Sequence, residues 1–379
     1  MKKLGLYVHF PFCIKKCYYC DFLSFENNNE EILRTYCNAL IKEIEKWGPD
    51  LNGYIIDTLF FGGGTPSLIP EEALEKVIAA IYKNFKIKDD IEFTIESNPK
   101  TLNKDKLASY LSSGINRISM GVQTLDVTLL NFIGRVHSAQ DFYKNYYEAR
   151  EAGFNNINTD LIFAVPTQEI KIWQDTLEEI LRLKPEHVSF YSLKYEEGTP
   201  FYNRFCSGEW TENEEEDRNM YWYAVNQLKQ KGYIHYEISN AAVSGFECRH
   251  NLKYWSMDEY LGIGLGAHSF LGEVRFSNER NLNKYIQNAN NMEDIRTWSY
   301  QNRNEDDISE YIFTGLRKRE GISLSEFEER FNMPIEHFFS KEIEELLLGK
   351  WIKIKENQMM LTRKGVDISN TIMSKFIIL

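Results

Sequence analysis

No run in this 379-residue chain approaches the roughly 18 consecutive apolar residues that a bilayer-spanning helix needs. Nor does a small-residue cleavage site follow the opening MKKLGLYVHFPFC, so no signal peptide is read there and a cytoplasmic protein is expected. Positive charge is not in excess: 44 Lys and Arg stand against 56 Asp and Glu, and the net charge of −12 argues against nonspecific affinity for nucleic acid. A disulfide framework is also missing. The six cysteines are Cys13, Cys17, Cys20, Cys37, Cys206 and Cys248; three fall within eight residues and the rest are scattered. In a reducing compartment that pattern reads as a metal site plus isolated thiols. There are no internal repeats, and no low-complexity segment beyond Asn27–Asn29. What remains is ordinary globular composition, in a chain long enough for one large domain and one or two smaller ones.

From Leu4 to about Leu193, short β-branched or aromatic runs alternate with stretches of helical period. Strands are predicted at Leu4–Phe10, Ile55–Phe61, Ile91–Glu96, Arg117–Gly121, Ile157–Phe163 and His187–Leu193. Helices are predicted between them at Glu31–Trp47, Glu71–Asn84, Lys104–Ser112, Gln140–Glu151 and Trp173–Leu183. Repeated strand–helix units imply a parallel sheet, either doubly wound or a partial TIM-like (β/α)6 barrel. Both place ligands at the carboxyl ends of the strands. The unusual polar residues cluster there: Gly62–Gly64 after the second strand, Glu96 ending the third, Gln123 after the fourth and Asp160 in the fifth. Beyond Leu193 come a charged helix at Glu212–Lys231, a strand at Tyr233–Ile238 and a glycine-rich stretch at Leu261–Gly272. The last part reads helix, helix, then a hairpin of Trp351–Lys355 and Met359–Thr362, the order of a winged helix. With twelve Lys and Arg against fourteen Asp and Glu over 301–379, a DNA-reading role is disfavoured, and packing or partner docking fits better. The expected division is 1–200, a (β/α)6 core; 201–300, an α/β extension; and 301–379, a mostly helical, winged-helix-like domain.

Cys13, Cys17 and Cys20 have C-x3-C-x2-C spacing on a loop directly after the first strand. Structural zinc prefers two C-x2-C pairs or cysteine–histidine pairs across a longer loop. No second pair follows here, and His9, a conceivable fourth ligand, lies on the strand itself. An electron-transfer cubane takes four cysteines. Three thiolates would leave one iron of a [4Fe–4S] cluster open to chelate another molecule.

YVHFPFCIKKCYYC resembles the signature of the radical S-adenosylmethionine (SAM) proteins, and within them the oxygen-independent coproporphyrinogen dehydrogenase and haem chaperone branch. The likeness runs along nearly the whole chain. It implies a (β/α)6 barrel and SAM on the open iron, cleaved after one-electron reduction to methionine and a 5′-deoxyadenosyl radical. Tyr7 is similar to the family tyrosine that meets the methionine carboxylate. The GGGTP match assigns Gly63, Gly64 and Thr65 to the methionine amino end, where glycines allow close backbone approach. Glu96 in FTIESNP, Gln123 in SMGVQT, Arg135 in IGRVH and Asp160 in NTDLIF match further SAM-contacting positions, with Arg135 suited to a carboxylate.

Within that branch the dehydrogenases carry a further cysteine two residues after the third, where this chain has Phe22, and a long extension before the cysteines, where it has twelve residues. Both departures favour the haem chaperone side, with coproporphyrinogen III dehydrogenase as the alternative. Arg249–Trp255 contains H-N-x-x-Y-W, resembling a segment linked to haem binding in the chaperones. His250 would ligate iron, with Asn251 beside it, while Tyr254 and Trp255 would offer flat surfaces to the macrocycle. The resemblance thus implies three cofactors or cargoes: the cluster, SAM and haem. It implies a haem-accepting apoprotein as partner and a flavodoxin or ferredoxin as reductant. It leaves room for a membrane-protein acceptor met transiently and for a homodimer. Cys37, Cys206, Cys248 and His268 receive no role.

Overall fold

A computed structural model describes residues 1–27 and 29–378; Asn28, inside the asparagine run, lies outside the described residues. The six predicted strands are present: β1 (Lys2–Phe10), β2 (Tyr54–Gly63), β3 (Ile87–Ser97), β4 (Arg117–Gln123), β5 (Ile157–Phe163) and β6 (His187–Ser192). They pair in parallel and in chain order, with no reversal. A doubly wound sheet would turn back at a switch point. Sequential winding is that of a barrel, so the (β/α)6 expectation holds.

Between the strands run α1 (Glu30–Trp47), α2 (Glu71–Asn84), α3 (Lys104–Ser112), α4 (Val127–Phe132), α5 (Ala139–Ala152) and α6 (Ile170–Leu183). Their starts follow from capping chemistry. The Asn29 side chain accepts from the amides of Glu31 and Ile32, and Ser138 with Asp141 forms a reciprocal capping box. On β1 the period-two pattern sends Leu4, Leu6, Val8 and Phe10, all fully buried, toward the helical layer. There they join Leu33, Tyr36, Leu40 and Ile44 of α1 in the main core. The opposite parity, Gly5, Tyr7 and His9, is left for the barrel interior.

The arc does not close. After β6 follow α7 (Pro200–Cys206), α8 (Glu214–Gln230), β7 (Ile234–Glu237), β8 (Asn240–Ala242) and α9 (Arg249–Trp255). Then come β9 (Tyr260–Ile263), β10 (His268–Leu271), β11 (Val274–Asn278) and β12 (Arg296–Gln301). They extend both edges into one twelve-stranded sheet, ordered β12-β11-β10-β9-β1-β2-β3-β4-β5-β6-β8-β7. Thus the stretch 201–300 adds strands to the same sheet as the core. Beyond it, helix Asn304–Gly315, strand Ile322–Ser323, helices Leu324–Phe331 and Glu336–Leu348 and the hairpin Ile352–Lys355/Gln358–Leu361 give the winged-helix order, with a three-stranded sheet. Among the described residues no helix is long and apolar enough to cross a membrane.

Candidate cofactor site at the carboxyl ends of the strands

The cysteine loop is closed by backbone bonds at its base, Phe25 N–H to Pro11 O (2.7 Å) and Asn27 N–H to Cys13 O (3.0 Å). Beneath it, Gly64 N–H donates to Phe10 O and Thr65 N–H to Phe12 O, at 2.7 and 2.8 Å. A Cβ on Gly64 would come within 2.8 Å of the Phe10 and Phe12 backbone, and Gly63, at φ +110°, would drive one into the His9 ring. The glycines were expected to admit a ligand. They also let the end of β2 press against the strand that carries the cysteines.

Cys13, Cys17 and Cys20 are free thiols of intermediate exposure. Burial pushes the Cys13 thiol up and the Cys20 thiol up to about 11, so only a strong Lewis acid would hold both as thiolates near neutrality. Among the described residues no three His, Cys, Asp or Glu side chains converge as one mononuclear ion would require. His9, the fourth zinc ligand considered above, is already bound through both nitrogens, to Tyr7 Oη (2.9 Å) and Leu23 O (2.8 Å). Two of the three sulfurs instead lie near side-chain donors. Thr65 Oγ1 lies 3.6 Å from Cys13 Sγ and Arg135 Nη1 lies 3.5 Å from Cys17 Sγ. Three unpaired thiols on one loop, with donors aimed at two of them, fit a cluster whose thiolates sit on separate irons.

The other expected SAM residues form a second layer. Tyr7 is half-buried, and desolvation of its phenol raises it well above the usual range. Glu96 accepts the Gly63 N–H at 3.1 Å; burial first, and nearby Asp160 second, push its carboxyl up to about 8. Asp160 accepts from Ser119 Oγ (2.9 Å) and Asn158 Nδ2 (2.8 Å). A β-bulge between Gly121 and Gln123 leaves Gln123 at φ 66° and turns its amide back beside Gly121. The cysteine loop and the residues expected to contact SAM therefore lie together at this end of the barrel.

The HNLKYW segment forms α9 inside the amino-terminal half of the barrel, below the site just described. Gly5 has no Cβ because one would meet Lys253 Cδ at 3.0 Å and His250 Cε1 at 3.4 Å. The Glu92 carboxylate accepts the Arg249 and His250 amides at 2.9 Å each, and Lys253 pairs with Asp57 at 2.8 Å. His250 is 1% exposed and stacked on Phe60 (5.2 Å), and both nitrogens are engaged, Nδ1 with Thr58 Oγ1 (2.9 Å) and Nε2 with Tyr254 Oη (2.8 Å). Burial pushes its pKa down to about 3. The imidazole expected to ligate haem iron is thus held within the barrel, and the Trp255 ring lies under the Arg317 guanidinium (4.3 Å). Asn251 is half-buried on the same helix. Cys248 and Cys37 are buried, with thiols pushed up to about 12, and Cys206 is exposed. His268 is an exposed residue of β10 opposite Ser277.

Two residues escaped the sequence reading. Glu92 shares strand parity with Glu96, so its inward aim was legible in IEFTIES. Asn98, in ESNP, reads as a turn residue, yet its Nδ2 donates to Thr65 Oγ1 at 2.7 Å and its Oδ1 accepts from Arg135. A cavity of about 800 Å³ lies at the carboxyl ends of β5 and β6, bounded by the first turn of α8 and residues 366–371. None of the four expected haem residues lines it.

Known proteins agree with this architecture. The radical SAM superfamily profile matches residues 7–180, and the HemN C-terminal domain profile matches 303–368. The heme chaperone HemW of Lactococcus lactis is 35% identical over 378 residues, covering 100% of this chain and 98% of that protein. That of Bacillus subtilis is 36% identical, covering 98% of each. The solved structure of coproporphyrinogen III oxidase (HemN) from Escherichia coli superposes with a TM-score of 0.88, over 99% of this chain and 90% of that one; at 23% identity the likeness concerns the fold. The chain belongs to the radical SAM superfamily, in the family of the heme chaperone HemW proteins.

Proposed function

We propose that this protein is a haem chaperone that captures haem and passes it to a haem-requiring apoprotein in the cytoplasm, using a [4Fe–4S] cluster and SAM. Cys13, Cys17 and Cys20 would hold the cluster. Tyr7, Gly63, Gly64, Thr65, Glu96, Gln123, Arg135 and Asp160 would form the SAM pocket. When bound, the pair supplies one-electron chemistry, fed by a flavodoxin- or ferredoxin-like donor. The observation that carries the reading is the convergence of three unpaired thiols with the GGGT segment and Glu96 at one end of the barrel. Full-length likeness to curated heme chaperones supports the cargo. Phe22, 62% exposed where a dehydrogenase has a fourth cysteine, disfavours the decarboxylase reading.

The chain's own residues set how haem would be taken. In the tautomer protonated at Nδ1, His250 donates to Thr58, and the Nε2 lone pair accepts from Tyr254. The low pKa keeps this imidazole neutral, the form that ligates iron. Iron at Nε2 would have to replace the Tyr254 hydroxyl there. Haem titration of anaerobic, cluster-loaded protein tests this: a Soret shift that His250→Ala abolishes is expected, and no shift in the unaltered protein sinks the chaperone reading.

A further inference from the structure

Cys13 and Cys17 are joined by a chain of side-chain hydrogen bonds that passes through one residue. Asn98 Nδ2 donates to Thr65 Oγ1 at 2.7 Å. A hydroxyl whose lone pair is so occupied directs its own proton elsewhere, and Cys13 Sγ lies 3.6 Å from it. On the other side, Asn98 Oδ1 and Gly121 O both accept from Arg135 Nη2. That grip leaves Nη1 on Cys17 Sγ at 3.5 Å. The packing admits little slack, since a Cβ on Gly121 would lie 2.8 Å from Asn98 Oδ1 and 3.0 Å from Arg135 Nη2. Asn98 itself touches neither sulfur.

We propose that Asn98 is a positioning residue that aims one neutral and one cationic donor at two cluster thiolates and thereby raises the cluster's reduction potential. This rests on the proposed assignment of the cysteines to a cluster. Donors and positive charge at thiolate sulfur stabilise the reduced, more negative form. Asn98→Asp reverses both effects with almost no change of shape. Its carboxylate cannot donate to Thr65, so the hydroxyl turns its proton away from Cys13, and the new charge neutralises Arg135.

The test is a reductive titration of anaerobic, iron-loaded protein, followed by electron paramagnetic resonance, with iron content measured first. At the ambient potential that half-reduces the unaltered protein, Asn98→Asp should show at least a tenfold lower reduced-to-oxidised ratio, a 59 mV fall for one electron. Asn98→Ser, which keeps a small polar group but cannot bridge both partners, should fall in the same direction by less. Arg135→Gln should also lower the potential, and adding Asn98→Asp to it should lower it further, because the Thr65 donor to Cys13 does not depend on Arg135. Iron-loaded Asn98→Asp within twofold of the unaltered ratio would overturn the proposal. So would loss of the cluster in all three variants while the chain stays folded, which would give Asn98 a role in assembly alone. Absence of iron from the unaltered protein would fail the cluster assignment instead, a distinct result.

Discussion

The competition for His250 Nε2 gives a prediction whose sign is unusual for a change at a buried site. Tyr254→Phe keeps the ring that packs edge-on to His250 and removes only the hydroxyl that occupies Nε2 at 2.8 Å. If iron must take that nitrogen, haem binding forfeits one hydrogen bond worth about 0.5–1.5 kcal/mol net. Removing the competitor should therefore tighten haem binding by about 2- to 12-fold. The same change leaves a buried acceptor unpaired and should lower folding stability by about 1–3 kcal/mol. A less stable protein that binds its cargo more tightly is hard to produce by general damage. The assay is a Soret titration beside urea unfolding, with His250→Ala as the zero of binding. Unchanged or weaker haem binding in Tyr254→Phe would refute the exchange. Retention of affinity in His250→Ala as well would move haem away from α9, leaving the cavity at the ends of β5 and β6 as the next site to probe.

Further outcomes are expected. Burial holds His187 well below its ordinary pKa, His235 down to about 4 and His250 down to about 3, while the unfolded chain takes up these protons near 6.5. Their stabilisation is therefore present above pH 6.5 and lost as pH falls toward 4, by at most about 1.4 kcal/mol per unit for each histidine; urea midpoints flat from pH 7.5 to 5 would contradict this. Glu96 has the opposite sign: its folded pKa of about 8 exceeds the ordinary 4.5, so its contribution is full below 4.5 and fades as pH rises through 8. Glu96→Gln should then gain stability relative to the unaltered protein at pH 8–9. It should also bind SAM at least about tenfold more weakly, a loss of about 1.4 kcal/mol, without the rise in affinity toward pH 8 that ionisation of Glu96 gives, as equilibrium binding to cluster-loaded protein would show. Glu92→Ala removes the acceptor of two α9 amides and should cost about 2 kcal/mol in urea unfolding; a change within 0.5 kcal/mol, about the size of an ordinary surface substitution, would deny the carboxylate its capping role.

Where a segment's burial follows its local period, the sequence was a good guide. β5 and α2 have the predicted ends, and β1 and β6 differ by one or two residues. β3 begins four residues early, at Ile87, because Lys88–Asp90 face solvent and hide the alternation. β12 was invisible for the same reason: every residue of RTWSYQ is exposed, so an edge strand carries no apolar face to read. α9 was read by its residue types, which suit haem, and not by its surroundings. Only the folded chain shows that Glu92, Thr58 and Gly5, distant in sequence, make a socket for it. Likewise the thiols and glycines announced themselves by spacing, whereas Asn98 gains its meaning from two partners 33 and 37 residues away.

The most direct measurement is anaerobic iron, sulfide and zinc analysis of the unaltered protein and of Cys13→Ala, Cys17→Ala and Cys20→Ala. The account predicts about four iron and four sulfide per chain, with a cluster signal perturbed by SAM and lost in each variant. Zinc in place of iron, or iron that survives all three substitutions, would contradict it.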